Sequence, residues 1–500
     1  MLTRRSLLLS SAATVIASLS EVSRLRGAPT NIRYNAASPE GKAMLRIYAA
    51  GVRAMKALND QDPNSWKFQW YIHATPKDKA DVINDVFGGV ASPARALADK
   101  TWYTCQSHLS QPEDYFLPWH RLYVLQFEEI IREITKHPEF TLPYWDYTSP
   151  ASYSLPDEFQ LKNSADPRLA SLFVKGRNVE NGKLSPPQAA NVNAGDPLNK
   201  NFQARRNFLV LPDPAPREYS DFCRQLDQNL HGSIHVYTGD QTNMGSIPTA
   251  AGDPVFWLHH CNIDRIWAGW NETGGKTPQQ TNGKLWADTK FVFADGQEVA
   301  IDTVAENAKL TYAYDILPTI KLPPIVVAEM STTTNTLLKS VMPEATITSA
   351  APTTSSPLTL GAEPQTIMLA PVNSESRLQA IAPQFAAEGP TRLMLLLKGL
   401  QAKTDPNTVY QLFLDLPPNA SQDVADQHYV GLVNFFGVAI PAGHEAHGGR
   451  SVEFDVTEVV ARLLKANGLK SETTVTLVPL GPPAEGSAPV LSEGIELQRR

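Results

Sequence analysis

Cysteine is scarce in this chain: Cys105, Cys223 and Cys261 are its only three in 500 residues. Three thiols allow at most one bridge, which excludes a disulfide framework as the source of stability. The body of the chain also lacks any long Lys/Arg run, and the formal net charge is −7. That balance excludes the basic footprint of a nucleic-acid binder and gives no support to docking on a membrane surface. The apolar run from Leu7 to about Leu19 is too short and too broken by serine to span a bilayer. Proline, by contrast, is plentiful at 39 residues, and aromatics cluster in the first two-thirds, which predicts long irregular connections pinned by aromatic packing.

Length predicts two domains rather than one. The start, Met1-Leu2-Thr3-Arg4-Arg5-Ser6 before the apolar run, has the paired arginines of a twin-arginine export signal, the bacterial route for proteins exported after folding. Residues 1–28 are therefore assigned to a signal peptide, with export to the periplasm or beyond as the expectation. Residues 29–325 form the first domain, expected to be mainly helical and loop-rich. Its helices fall near 40–60, after Phe116 and from Glu218 to His235, with a long excursion of little regular structure over 150–215. Residues 326–365 turn to Thr, Ser, Ala and Pro, the composition of a linker. Beyond them, β-type runs at 392–400, 409–416, 429–440, 452–456 and 473–480 predict a small β-sandwich or jelly-roll domain over 366–500. Asp455-Val456-Thr457-Glu458 has the form of a capping box opening a short helix.

The stretch Asp253–Trp267 concentrates the interest. Asp253 and Pro254 predict a helix start, and Phe256, Trp257, His260, Ile263 and Trp267 recur at helical spacing as a broad buried face. By itself this helix suits a core histidine satisfied by a carboxylate. The count of imidazoles along the chain points elsewhere. Of eleven histidines, His428, His444 and His447 lie in the second domain and His137 ends a helix, where a cation suits the dipole. Seven remain: His73, His108, His120, His231, His235, His259 and His260. His231 and His235 are four apart, so on a helix they face one way and can grip one metal. His259 or His260 completes that site, with His260 favoured because it lies one turn from both Phe256 and Asp264. His73, His108 and His120 form the matching half. Six imidazoles without a carboxylate favour copper or zinc over harder ions, and two zinc ions would more commonly recruit Asp or Glu, so a copper pair leads.

These residues resemble the tyrosinase and catechol oxidase family, the type-3 copper proteins that also include molluscan haemocyanins. The resemblance rests on Tyr71-Ile72-His73, Phe116-Leu117-Pro118-Trp119-His120-Arg121, Leu142-Pro143-Tyr144-Trp145-Asp146, His231-x3-His235, Asp253–Trp267 and Tyr312-Ala313-Tyr314. More weakly, Val452-Glu453-Phe454-Asp455-Val456 resembles the C-terminal domain of plant polyphenol oxidases. The resemblance implies a type-3 helical fold with His73, His108 and His120 on copper A and His231, His235 and His260 on copper B. It implies oxidation of an o-diphenol to an o-quinone by dioxygen, leaves monophenol hydroxylation open, and names a small phenol as the partner; it says nothing of oligomeric state. The alternative is a haemocyanin-like dioxygen carrier, against which stand the export signal and the single copper unit. Phe256 is expected to stack on the substrate ring. Asp227, four before His231, is expected to orient that ligand or to hold a water as base, with a solvent-facing or capping use equally open. His259 is expected to take a hydrogen bond behind the ligands. Cys105-x-x-His108 departs from the family's Cys-x-His thioether spacing, so Cys105 is either linked to a histidine or a free thiol. Gly232 stands where many monophenol-hydroxylating members have Asn, which tilts the expectation toward diphenols. The C-terminal domain is expected to cover the copper pocket until the linker is cut, a role in stability or assembly being the alternative.

Overall fold

In the computed structural model the described residues are 31–106, 113–177, 215–216, 218–281, 284–322, 345–350, 358–371, 377–383, 392–404, 406, 408–438, 450–480, 483 and 486–499. The signal-like start, His108, the excursion from 178 to 214, most of the expected linker, His444 and His447 lie outside them.

Helices built from local signals surround the first core. Helix α1 (Pro39–Ala57) starts with Pro39 at its first turn and the Ser38 hydroxyl accepting from Gly41 N–H, and it buries Leu45, Tyr48, Ala49, Val52 and Met55. Helix α2 (Trp66–His73) is capped the same way by Ser65, which accepts from Phe68 N–H. Helix α3 (Phe116–Thr135) ends where Lys136 turns left-handed at φ 59°. The predicted 218–235 helix is interrupted: α4 (Tyr219–Gln225) passes into a π turn (Leu226–His231) before α5 (Gly232–Thr238) resumes regular α geometry. Helix α6 (Val255–Glu272) is buried all round from Val255 to Trp270 rather than along one face. It is therefore the central post of the domain, and Trp257 stacks on Phe127 of α3 with ring centroids 3.6 Å apart. The helix starts one residue later than the sequence suggested, with Pro254 at the N-cap position; Asp253 before it accepts from Val255 N–H at 2.9 Å, and the buried Arg177 neutralises that carboxylate.

The ends of this domain meet. Strand β1 (Asn31–Arg33) pairs in parallel with β2 (Tyr312–Tyr314). The pairing brings Arg33 onto Glu128 at 2.8 Å and Asp264 at 2.9 Å, while Arg121 pairs with the other Asp264 oxygen and Tyr312 and Tyr314 donate to the same carboxylate. Burial alone would raise the Asp264 carboxyl; Arg121, Arg33 and the two tyrosines hold it below the usual carboxylate range.

The C-terminal region is β-rich. Strands β3 (Ala345–Ala350), β4 (Leu358–Thr359), β6 (Ala370–Pro371), β7 (Leu393–Gln401), β10 (Arg450–Asp455) and β12 (Val490–Arg499) form a sheet in the order β6-β3-β12-β7-β10, with β4 also on β12. Strands β5 (Gln365–Met368), β8 (Tyr410–Leu414), β9 (Tyr429–Val433) and β11 (Thr474–Pro479) form a second, in the order β9-β8-β11-β5. Leu395, Leu397 and Ile495 of one sheet share a core with Leu412, Leu414 and Leu477 of the other. The opposite face of the second sheet, with Phe413, Tyr429 and Leu432, joins the helical core. This corrects the linker boundary of 365: the Thr/Ser-rich stretch already pairs with β12 from Ala345, because a distant strand supplies the hydrogen bonds its composition does not advertise. The expected capping box is also partial. Helix α7 (Thr457–Lys465) follows, but Asp455 accepts from Thr457 N–H while the Thr457 hydroxyl accepts from Leu393 N–H on the neighbouring strand.

Candidate metal centre

Four helices and the π turn deliver five of the six singled-out histidines to one buried place. His73 ends α2, His120 lies one turn into α3, His231 closes the π turn, His235 follows on α5, and His260 sits mid-α6. The donor atoms of His231, His235, His259 and His260 all lie within 4.8 Å of one another, and those of His73, Cys105 and His120 form a second such group. The two groups adjoin, because His120 stacks on His260 with centroids 4.2 Å apart and planes 7° off parallel. His108 lies outside the described residues.

Each ring is aimed by something behind it. His120 Nδ1 meets Phe116 O at 2.8 Å and His235 Nδ1 meets Met244 O at 2.7 Å, an arrangement that puts the proton on Nδ1 and turns Nε2 inward. His231 Nδ1 lies 3.0 Å from Asp227 Oδ1 and 3.2 Å from Asp227 O, so Asp227 sits where an orienting partner belongs. His259 Nδ1 meets the Tyr147 hydroxyl at 3.0 Å. Among the described residues, neither ring nitrogen of His260 and not Nε2 of His259 has a hydrogen-bond partner. Burial, then His120 and the other imidazoles around it, hold His260 well below the usual imidazole range; burial and His231 do the same to His259. Neutral imidazoles with inward lone pairs are what a metal requires, and leaving them orphaned is otherwise costly.

A model of the family described as the common central domain of tyrosinase matches residues 63–273, a span that holds all of these histidines. That span is similar to the central domain of tyrosinases. Among its tyrosinase relatives, HcTyr1 of Hahella sp. (strain CCB-MM4) is 32% identical over 298 residues, 54% of this chain and 60% of that protein. The chloroplastic polyphenol oxidase of Malus domestica is 29% identical over 287 residues, 53% of this chain and 45% of that protein. The chain thus spans about half the length of the curated relatives it matches. Latent apple tyrosinase shares the fold at a TM-score of 0.56 and 20% identity, with 95% of this chain and 98% of that one covered. Latent aurone synthase gives 0.58 at 18% identity, with 93% and 89% covered. Residues 346–491 match a family described as a domain of unknown function.

Among the described residues the donor set fits two copper ions: it is nitrogen-rich, neither group contains a carboxylate, and all its members but the half-buried Cys105 are buried. His231 Nε2 and His235 Nε2 are 3.0 Å apart, near the spacing of two nitrogens that share one metal at about 2.0–2.1 Å. Cys105 Sγ lies 3.5 Å from His120 Nε2, so its near neighbour among the described histidines is His120. Burial pushes its thiol well up, and Asp227 adds to that.

Phe256 is fully buried, with its ring 4.2 Å from His260 and 4.9 Å from His73, so it packs between the two histidine groups. Phe436 of the C-terminal region also packs on the histidines, stacked on His235 at 4.0 Å and 12° and edge-on to His231 at 5.6 Å. Sequence reasoning missed Phe436, and also Phe116, which packs 4.7 Å from both His120 and His231. Phe116 stood inside a recognised motif, whereas no local signal marks Phe436, whose role depends on how two domains meet.

Proposed function

We propose that this chain oxidises small phenols with dioxygen, converting o-diphenols to o-quinones, with His73, His108 and His120 holding one copper and His231, His235 and His260 the other. The observation that carries the reading is the pair of adjoining buried histidine groups. Bound copper supplies one-electron steps between its two oxidation states, so that two catechols give four electrons and four protons to one dioxygen, leaving two quinones and two waters. The chain's own part is to prepare the site. Carbonyls behind His120 and His235 fix their tautomers, Asp227 orients His231, and Phe116 and Phe256 lock the rings in place. Gly232 adds no side chain beside His231, which supports diphenols as the substrates.

Phe436 on His235 supports a second part of the reading: the C-terminal domain covers the centre, and a cut within 331–344 or displacement of the domain opens it. The two sheets around a common core support the sandwich form of that domain, and their non-sequential strand order suits a jelly roll. Arg4-Arg5 before a short apolar run supports export by the twin-arginine route; Arg4→Lys with Arg5→Lys should leave the protein in the cytoplasm, and export undiminished in that variant counts against the route.

The deciding experiment measures copper in the reconstituted full chain, then catechol turnover before and after limited proteolysis. Two coppers per chain and quinone formation that rises on cutting are expected. Copper without turnover in either form would favour the oxygen-carrier reading, and no copper would end both. Phe436→Ala should raise turnover of the uncut chain; an unchanged rate removes the covering role.

A further inference from the structure

The π turn that carries His231 has a consequence outside its own helix. In regular α geometry the N–H of Gly232 would bond to Gln228 O, four residues back. Here it goes to the Asp227 and Asn229 carbonyls, five and three back. The Gln228 carbonyl then accepts from the C-terminal domain: Asn434 Nδ2 at 2.6 Å and Arg450 Nη2 at 3.4 Å.

The same two side chains hold the covering residue. Asn434 Oδ1 accepts from Phe436 N–H at 3.2 Å, and Arg450 Nη1 donates to Phe436 O at 2.7 Å. Both main-chain groups of Phe436 are thus tied through side chains that also grip one carbonyl of the copper-bearing helix. Asn434 is buried and fits over Gly232, where a Cβ would stand 2.6 Å from its Oδ1 and 3.0 Å from its Nδ2. The bare α-carbon of Gly232 is the notch that admits the amide.

We propose that Asn434 and Arg450 are positioning residues for His231: by gripping the Gln228 carbonyl they fix the π turn, so that seating Phe436 and setting the ligand are one event. This rests on the reading of Phe436 as the cover of the copper site, which it deepens. Docking and the turn stabilise each other, and by linkage a change that disfavours one disfavours the other. Domain release then does more than unveil the centre; it lets the turn carrying His231 relax.

The test is Asn434→Asp in the full-length chain. Aspartate keeps the oxygen that accepts from Phe436 N–H but replaces the donor to Gln228 O with a second acceptor. Amide hydrogen exchange is read on the metal-free protein over 228–236, with exchange over 393–401 as the check that the C-terminal sheet stays folded. Losing one buried hydrogen bond predicts exchange over 228–236 faster by about tenfold. Arg450→Lys, which cannot fork to two carbonyls, should act in the same direction. Phe436→Ala, which removes a docking contact but keeps both side chains on the Gln228 carbonyl, should speed that exchange by clearly less than Asn434→Asp does. Exchange unchanged in Asn434→Asp overturns the proposal, as does Phe436→Ala speeding exchange as much as Asn434→Asp. An unchanged catechol rate in copper-loaded Phe436→Ala overturns the covering reading alone, because the exchange measurement involves neither copper nor substrate.

Discussion

At the scale of single residues, the centre depends on charges and protons placed out of reach of water. Asp264 is the sharpest case, since two arginines and two tyrosines converge on it beneath the histidines. Asp264→Asn leaves Arg121 buried without its counter-charge and Arg33 with Glu128 alone, and breaking such a buried pair costs about 3–5 kcal/mol. Denaturant unfolding of the metal-free chain should register that loss; a change below about 1 kcal/mol, the range of an exposed ion pair, would mean the cluster is not a buried network. The imidazoles make a second prediction. Burial and neighbouring imidazoles depress His259 and His260 below their unfolded values, so the unfolded chain takes up protons first as pH falls. Stability of the metal-free protein is therefore full above about pH 6.5, the ordinary imidazole value, and declines below it. Thermal unfolding between pH 7.5 and 5.5 should show a falling Tm, and a flat profile would contradict neutral buried histidines.

At the scale of elements, regular pieces with local signals were legible in the sequence. The apolar positions over 40–60 and the Asp253-Pro254 pair announced their helices to within a few residues, because periodicity and capping are local. The π turn was not legible: Leu226–His231 has the composition of ordinary helix, and its irregular bonding is met by side chains from residues 434 and 450. Strand β12 was passed over because Glu493-Gly494 interrupts its alternation, although it lies between β3 and β7 at the centre of its sheet. Ending the chain at residue 489 should then prevent the C-terminal region from folding, since a central strand cannot be lost as an edge strand can. Limited proteolysis would show residues 345–480 cut at many points; a protected fragment of that size would mean the sheet tolerates the loss.

At the scale of the whole molecule, five of the six histidines singled out by count lie together in the fold, a grouping legible in the sequence because metal ligands are few, chemically distinct and specified by residue type. Of the C-terminal region, only its presence as a second, β-type domain was expected. Its contacts depend on the second sheet turning Phe413, Tyr429 and Leu432 toward the helices while Tyr410, Leu412 and Leu414 face its own core. That assignment of faces emerges from packing two bodies together, which strand periodicity in either body cannot supply.

The parallel pairing of Asn31–Arg33 with Tyr312–Tyr314 makes the helical domain a closed ring in the mechanical sense. Tension transmitted along the linker enters at residue 322 and meets this clasp almost at once, loading its strands lengthwise along with the Arg33 cluster. The domain interface should yield at lower force, so that stretching from the C-terminus detaches the C-terminal region while the helical domain stays closed. Single-molecule extension would resolve this as an early, short release followed by a later rupture of the helical unit.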